Sequence, residues 1–561
     1  MSRWCAFLAD DPAAAVRAVG MEPAAVSGPA ALGGECYAAE GYSAVGAVTL
    51  CNAPALRARL GDIPPDCADA ETLLRTYARF GIEGVARAEG MFALAITDGT
   101  DLVLIRDHVG ARTLFYARSG RTWAASNSLR PLRNWPDLHT GLHLPSVRSF
   151  LTFAYLPGRD TLLRDVYEAL PGRCLRLRPD GTHTEQIFWE PTEILDDRPA
   201  DEHALGLRAL LEQATTRRLP AGEPVGVLLS GGIDSSLVTA LAAKNHDQTV
   251  RSYSIAFTGT TPNELAYSGL VAAHCHTEHR VLTVPGESVA ARLAETVGLL
   301  DCPVGDPLTV PNLLLAEAAA ADGVRVVLNG EGGDPVFGGP KNLPMLIFEL
   351  SRDDPDPHAR ALAYLDSYRK CYADLPVLLS PDVLAALDTA APLTDLIAPY
   401  LGPGNMTSLL NRLLHTNLRT KGAHHILTKV ERLTAAAGVQ GRSPLFDRDV
   451  IDYAFRVPPR QKLAGATEKW ILKQAVRDLL PTTIVDRPKS GMRVPVQQWL
   501  SGPLRDLGHD LLLGRSARAR GLFRTDTVRA WMRGEGALLP RQGGKLWLVL
   551  SLELWLRAFE V

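Results

Sequence analysis

The chain has 561 residues, 46% of them hydrophobic, with 59 basic and 62 acidic side chains and a formal charge of −3. This length suggests two to four domains of roughly 100–200 residues each, and the apolar content supports real cores, which excludes wholesale disorder. The balanced charge and the lack of a sustained basic stripe argue against a nucleic-acid partner.

Only ten of the basic residues are lysine, none before Lys244. The start, Met1 to Ala6, lacks the long apolar core of a signal peptide. No run of about twenty uninterrupted apolar residues occurs, so no membrane-spanning helix is expected and the expected location is the cytoplasm. Eight scattered cysteines include no Cys-x-x-Cys pair, which gives neither a disulfide framework nor a zinc site.

Residues 1–195 read as short strands and turns with few helices. Buried or period-two runs fall at Ala44–Leu50, Met91–Ile96, Leu102–Ile105 and Cys174–Leu177. One helix, Glu71 to Phe80, follows Asp69. From about Asp201 helix and strand alternate. Strands are predicted at Pro224–Leu229, Ser252–Phe257, Arg280–Val284 and Val324–Leu328. Helices are predicted near 203–217, 235–244, 264–275, 287–299 and 311–321. This alternation implies a parallel sheet with crossovers. The tract His274–His279 ends a helix and enters a strand, where its three imidazoles do not converge easily on a metal. From about 345 onward the pattern is mostly helical, and Leu546–Leu552 reads as part of a buried helix. The period changes near 192–204, so domains of 1–195 and 200–561 are expected.

The strongest motif is Val227–Ser236, a buried strand that enters a Gly-Gly turn and then a helix beginning at Ser235. Gly231 and Gly232 allow the backbone to curl and aim several N–H groups at one anion. The helix adds its positive end. Ser230, Ser235 and Ser236 offer hydroxyls. Asp234 would repel phosphate alone, so it makes sense as a ligand for Mg²⁺ bridging phosphates. No lysine follows the glycines, so this is not the Gly-x4-Gly-Lys-Ser/Thr loop. The form resembles the pyrophosphate loop of N-type ATP pyrophosphatases, which implies cleavage between the α and β phosphates of ATP.

Val327–Asp334 repeats the design, with Gly330 and Gly332 shaping a turn that carries carboxylates. Sites form at the carboxyl ends of parallel strands, so both loops are expected to meet over one nucleotide. Asp334 is a candidate second Mg²⁺ ligand and Glu331 a candidate general base. A third segment holds Glu468-Lys469 and Arg487–Met492, joined by a predicted helix Lys469–Leu480. A lysine on such a loop can neutralise a charged transition state.

Together these segments resemble the asparagine synthetase family over nearly the full chain. The matches are Ser230–Ser236, Asn263–Ser268, Gly330–Asp334, Gly438–Asp447, Glu468–Trp470 and Arg487–Lys489. The resemblance implies an α/β chain: an N-terminal Ntn-hydrolase-like α+β sandwich, then a parallel-sheet adenine nucleotide α-hydrolase-like (PP-loop) domain with a helical C-terminal part. It implies adenylation of a small-molecule or peptide carboxylate by ATP and Mg²⁺, then capture by ammonia or an amine. The family's catalytic glutamate falls on Glu331 and its phosphate-region lysine on Lys489, with Lys469 in support. Asn263, Glu264 and Gln440 fall near the family's substrate pocket. Asn263 stands where Asp is common, Gln440 where an acidic residue is usual and Gly441 where alanine is usual. These departures put aspartate as substrate in doubt. A homodimer is a further expectation from the family.

The first half matches more weakly, through Gly90–Ala93, Arg106–Tyr116 and Leu170–Arg173. The family's glutaminase uses a cysteine at residue one after Met removal. Here Ser2 takes that place, and Cys5 lies three residues further in. The oxyanion stretch is replaced by Ala47-Val48-Thr49, and no Arg-Gly-Pro-Asp segment occurs. Nucleophile, base and oxyanion donors act together, and each loss costs orders of magnitude. The expectation is therefore a ligase with an inactive glutaminase domain in a specialised biosynthetic pathway, similar to β-lactam synthetases and lasso-peptide cyclases. A glutamine-hydrolysing asparagine synthetase, a lasso-peptide macrolactam cyclase and a catalytically dead scaffold are the alternatives.

Overall fold

A computed structural model describes residues 3–61, 63–259, 263–339, 342–352, 356–368, 370–488, 491–535 and 544–561. The chain divides into two compact units. One holds the residues up to His143 and Gly158–Glu190; the other holds Leu144–Pro157 and Pro191–Glu560.

The first unit is built on two antiparallel sheets. Its strands are β1 (Cys5–Leu8), β2 (Pro23–Ser27), β3 (Ala30–Gly33), β4 (Cys36–Ala39), β5 (Tyr42–Leu50) and β6 (Gly90–Thr97). They continue with β7 (Leu102–Arg106), β8 (Phe115–Ser119), β9 (Thr122–Ser126), β10 (Val166–Glu168), β11 (Arg173–Leu177) and β12 (His183–Ile187). One sheet runs β10-β8-β9-β1-β3-β2 and the other β12-β11-β7-β6-β5-β4. Side chains alternate across each strand. Ala93 and Ala95 of β6 join Ala6, Leu8, Leu32 and Ala125 in one core. Leu94 and Ile96 face the other way, onto Leu73, Leu74 and Tyr77 of the helix Asp69–Val85. Gly81, at φ 59°, breaks that helix just after the predicted end at Phe80. The result is the α+β sandwich implied by the sequence.

The second unit carries a five-stranded sheet. Its strands are β13 (Val225–Leu228), β14 (Val250–Phe257), β15 (Glu278–Val284), β16 (Val326–Asn329) and β17 (Gln440–Arg442). Their order is β15-β14-β13-β16-β17, and every pairing is parallel. The apolar strands Val-Gly-Val-Leu and Val-Val-Leu-Asn are covered by crossover helices, including Ile233–Asn245, Leu265–His274, Gly286–Leu299 and Thr309–Ala321. Chain order turns between β13 and β16, a topological switch point where such sheets bind ligands. The predicted strands and crossover helices all occur, with ends shifted by a few residues.

Two local expectations change. The helix after the Gly-Gly turn begins at Ile233 rather than Ser235, because Gly232 at φ −79°, ψ 158° is already its N-cap. The predicted helix Lys469–Leu480 is only Trp470–Ala475. Lys469 at φ 54° cannot be helical, and Val476 at φ −120° leaves the helix. The chain beyond 342 is mostly helical, and the helix Gly544–Ala558 is buried along most of its length. Among the described residues no helix is long and apolar enough to cross a membrane.

Candidate active site

The turns that leave β13 and β16 press directly on one another. A Cβ on Gly330 would lie 2.4 Å from the Ser235 amide nitrogen. One on Gly333 would lie 2.1 Å from Asp234 Oδ1. Only glycine permits this approach, so the glycine-rich composition of the second turn is what brings the carboxylates together. Gly231 and Gly332 adopt φ of 78° and 111°, conformations that other residues resist.

The serines tighten the first turn. Ser235 Oγ accepts the Ser230 amide at 3.1 Å and lies 3.1 Å from Ser230 Oγ. The Ser236 amide donates to the Gly232 carbonyl at 3.0 Å, and its side chain is wholly buried behind the turn. The second turn is held by Asn329. Its Oδ1 accepts the Glu331 amide at 3.1 Å and the Ser443 hydroxyl at 2.9 Å, while its Nδ2 donates to the Arg442 carbonyl at 3.1 Å.

Lys469 joins the two turns. Its Nζ lies 2.5 Å from Asp234 Oδ2 and 2.5 Å from Asp334 Oδ1. The lysine side chain is 2% exposed, whereas Asp334 is 42% exposed and opens to solvent. The predicted metal pair, the pyrophosphate turn and Lys469 therefore share one cleft. Beside them a cavity of ≈ 210 Å³ is lined by Gly232, Ile233, Thr467, Glu468, Lys469 and Arg487. The two carboxylates converge on one cationic nitrogen, and the hard oxygen donors suit Mg²⁺. The residues present fit that ion.

Lys489 lies outside the described residues. The chain leading to it is anchored at the cleft. Arg487 Nη1 donates to the Gly231 carbonyl at 3.1 Å, Nη2 pairs with Glu264, and the guanidinium stacks 3.8 Å from the Tyr267 ring centre. Asn263 and Glu264 line a small recess with Ser230, Phe257 and Met492. Gln440 is not brought to the cleft. Parallel register pairs it with Val326, at the opposite end of β16 from the reactive turn, and its Oε1 accepts from Arg442 Nε at 2.7 Å. The histidines of the 274–279 tract diverge: His274 reaches the Leu479 carbonyl at 3.1 Å, and His279 bonds Ser252 at 2.8 Å.

Sequence reasoning missed the support behind Glu331. Lys429 is buried and its Nζ bonds Asp306 at 2.6 Å, with His425 Nε2 at 4.0 Å from the same oxygen. Burial opposes the Lys429 charge, but Asp306 and then Glu331 hold its pKa above the usual lysine value. Burial likewise opposes Asp306, yet Lys429 and then His425 keep its carboxyl below the usual range. The scarcity of lysine was the available signal for Lys429.

In the first unit the predicted glutaminase positions are built differently. Cys5 is wholly buried in β1, paired with Gly33 and Ser126, and burial pushes its thiol up to about 12. Ala47, Val48 and Thr49 lie within β5, opposite Ala93, Phe92 and Met91. Asp69 opens its helix and accepts the Leu50 amide at 2.8 Å and Arg57 Nη2 at 3.1 Å. Ser2 lies outside the described residues.

Residues 206–557 match the family model for asparagine synthase, and residues 50–189 match that for a glutamine amidotransferase domain. The chain is 24% identical over 519 residues to asparagine synthetase [glutamine-hydrolyzing] 1 of Bacillus subtilis, covering 87% of this chain and 80% of that one. It is 27% identical over 534 residues to a putative asparagine synthetase of Mycobacterium bovis, covering 89% and 81%. It is 26% identical over 431 residues to carboxyethyl-arginine beta-lactam-synthase of Streptomyces clavuligerus, covering 76% and 69%.

Proposed function

The chain belongs to the asparagine synthase family and is an asparagine synthetase-like carbon–nitrogen ligase; we propose that it adenylates a carboxylate other than aspartate, joins it to ammonia or an amine, and does not hydrolyse glutamine. The observation that carries the adenylation is the contact of both turns with one Lys469 ammonium, 2.5 Å from each carboxylate.

In this reading the backbone N–H groups of Ser230–Ser236 and the start of the helix Ile233–Asn245 hold the pyrophosphate of ATP. Asp234 and Asp334 would hold Mg²⁺, which supplies charge neutralisation between phosphate oxygens. The recess beside Asn263 and Glu264 adjoins Ser230, in line with a nucleotide laid along the cleft. The substrate carboxylate attacks the α-phosphorus and pyrophosphate leaves, giving acyl-AMP. The amine nitrogen then attacks the acyl carbon and AMP leaves, while Glu331 takes the proton the nitrogen loses. Lys429 and Asp306 form the charged surroundings of that base. Lys489 is assigned to the negative charge that develops during transfer.

Loss of glutaminase chemistry is supported by the buried, strand-paired Cys5 and by a continuous β5 where an oxyanion loop would stand. A nucleophile needs thiolate character and access, and Cys5 has neither. A ligase that draws on free ammonia or a specific amine fits a specialised biosynthetic pathway. The test is exchange of labelled pyrophosphate into ATP across a panel of amino acids and small acids, followed by mass spectrometry of the amide formed. One or more acids should support exchange, and glutamine should release no glutamate. A panel in which aspartate alone works, with glutamine as nitrogen donor, overturns the reading.

A further inference from the structure

Lys469 does more in this structure than border the cleft. Its ammonium fills the space within ligand distance of both Asp234 Oδ2 and Asp334 Oδ1. A divalent ion held by both oxygens needs that same space, at about 2.0–2.1 Å from each. Two cations cannot share it, because their repulsion at a few ångströms is large where the Lys469 and Asp234 side chains are shielded from solvent. We propose that Lys469 is an internal cation that holds the metal position closed until a nucleotide's phosphates draw it away. The proposal rests on the reading of Asp234 and Asp334 as the metal-holding pair.

The backbone supports such an exchange. Lys469 sits at φ 54°, rare for a lysine, at the N-cap of the helix Trp470–Ala475, and its carbonyl accepts the Lys473 amide at 2.9 Å. The main chain is thus pinned while four side-chain torsions remain to swing the ammonium. The ≈ 210 Å³ cavity lined by Lys469 also meets Gly232 and Ile233, where the pyrophosphate turn becomes a helix. A phosphate bound there would offer the ammonium a new anionic partner within reach. The exposed face of Asp334 gives a metal ion its entry from solvent. Without nucleotide, the two carboxylates already hold the Lys469 ammonium and have little affinity for a further cation. Metal and nucleotide affinities are thereby linked, each raising the other.

The experiment is titration of the full-length protein with Mn²⁺ in the absence of nucleotide, followed by electron paramagnetic resonance of the free ion. Lys469→Met should bind Mn²⁺ roughly tenfold or more tightly than the parent, within the usual range of site-to-site coupling. Lys469→Arg, which keeps the charge, should bind no more tightly than the parent. The gain should vanish in the double variant Lys469→Met/Asp334→Asn. Lys469→Gln serves in place of Lys469→Met if the apolar side chain prevents folding. Equal Mn²⁺ affinity in the parent and the neutral variants overturns the proposal, as does a gain that survives loss of Asp334. Neither ATP nor an acid is present, so the outcome is independent of whether carboxylate-dependent exchange is found.

Discussion

The Arg106–Arg112 segment of the first unit and the paired turns of the second both carry charge around glycine, yet they use it in opposite directions. In the first unit the charges turn inward to backbone. Asp107 accepts five amides: those of Val109, Gly110 and Ala111 on Oδ1, and of Phe92 and Arg112 on Oδ2. Arg106 is fully buried, donates to the carbonyls of Gly110, Arg112 and Ala169, and pairs with Glu168 at 2.8 Å. These bonds tie the Arg106–Arg112 segment to itself and to the neighbouring strands β6 and β10. In the second unit Asp234 and Asp334 are bridged by the Lys469 side chain. Charge met mainly by backbone makes a scaffold in the first unit, whereas in the second unit two carboxylates share one side-chain cation.

The contrast predicts where substitutions should strike. Glu331→Gln should slow amide formation by roughly 10²–10⁴-fold. It should leave carboxylate-dependent pyrophosphate exchange measurable, because adenylation precedes the proton transfer; equal loss of both would move Glu331 into the adenylation step. Arg106→Met should cost about 3–5 kcal/mol of stability, since it removes the guanidinium paired with the buried Glu168 carboxylate. Denaturant unfolding checks this, and a near-neutral result would end the scaffold side of the comparison. Gly333→Ala forces a carbon onto Asp234 Oδ1 and should displace the carboxylate enough to lower exchange by roughly 10²-fold.

A finer test uses Lys462, which is as buried as Arg106 but donates to an amide oxygen, Asn411 Oδ1, at 2.6 Å. Burial lowers its pKa to about 7, with Glu193 opposing the shift. The unfolded lysine holds its proton to about 10.4. Between those values the unfolded state binds more protons, so stability rises with pH. The penalty for the charged lysine is fully present below pH 7. Lys462→Met should therefore compare best with the parent at pH 6 and lose that advantage steadily toward pH 9, as followed by urea unfolding. A pH-independent difference would show that folded Lys462 keeps its proton as readily as the unfolded lysine does. The smallest effect is expected from Cys5→Ala, with about 1 kcal/mol of stability lost from the buried site and amine-dependent synthesis unchanged. A large fall in synthesis would give Cys5 a role that its burial does not explain.

The local chemistry was legible in the residues themselves. Apolar runs such as Met91–Ile96 and Val225–Leu228, and the Gly-Gly and Gly-x-Gly-Gly turns, announce strands and bends through steric and burial rules that act within a few residues. The parallel order followed from helix and strand alternation. Long-range partners were not legible. Lys469 is 235 positions from Asp234, Arg487 is 256 from Gly231, and Lys429 is 123 from Asp306. Gln440 looked equivalent to its neighbours in a motif, but parallel register set it at the wrong end of the sheet.

The sequence alone determined which segments become strands, helices and glycine turns, and that two of those turns carry carboxylates. Only the tertiary structure decided that one lysine bridges both carboxylates, that Cys5 is sealed inside a sheet, and that Lys429 lies close enough to Glu331 to feel its charge. The reason is physical: backbone preference is local, whereas the free energy of a charge depends on what the rest of the chain places within a few ångströms of it.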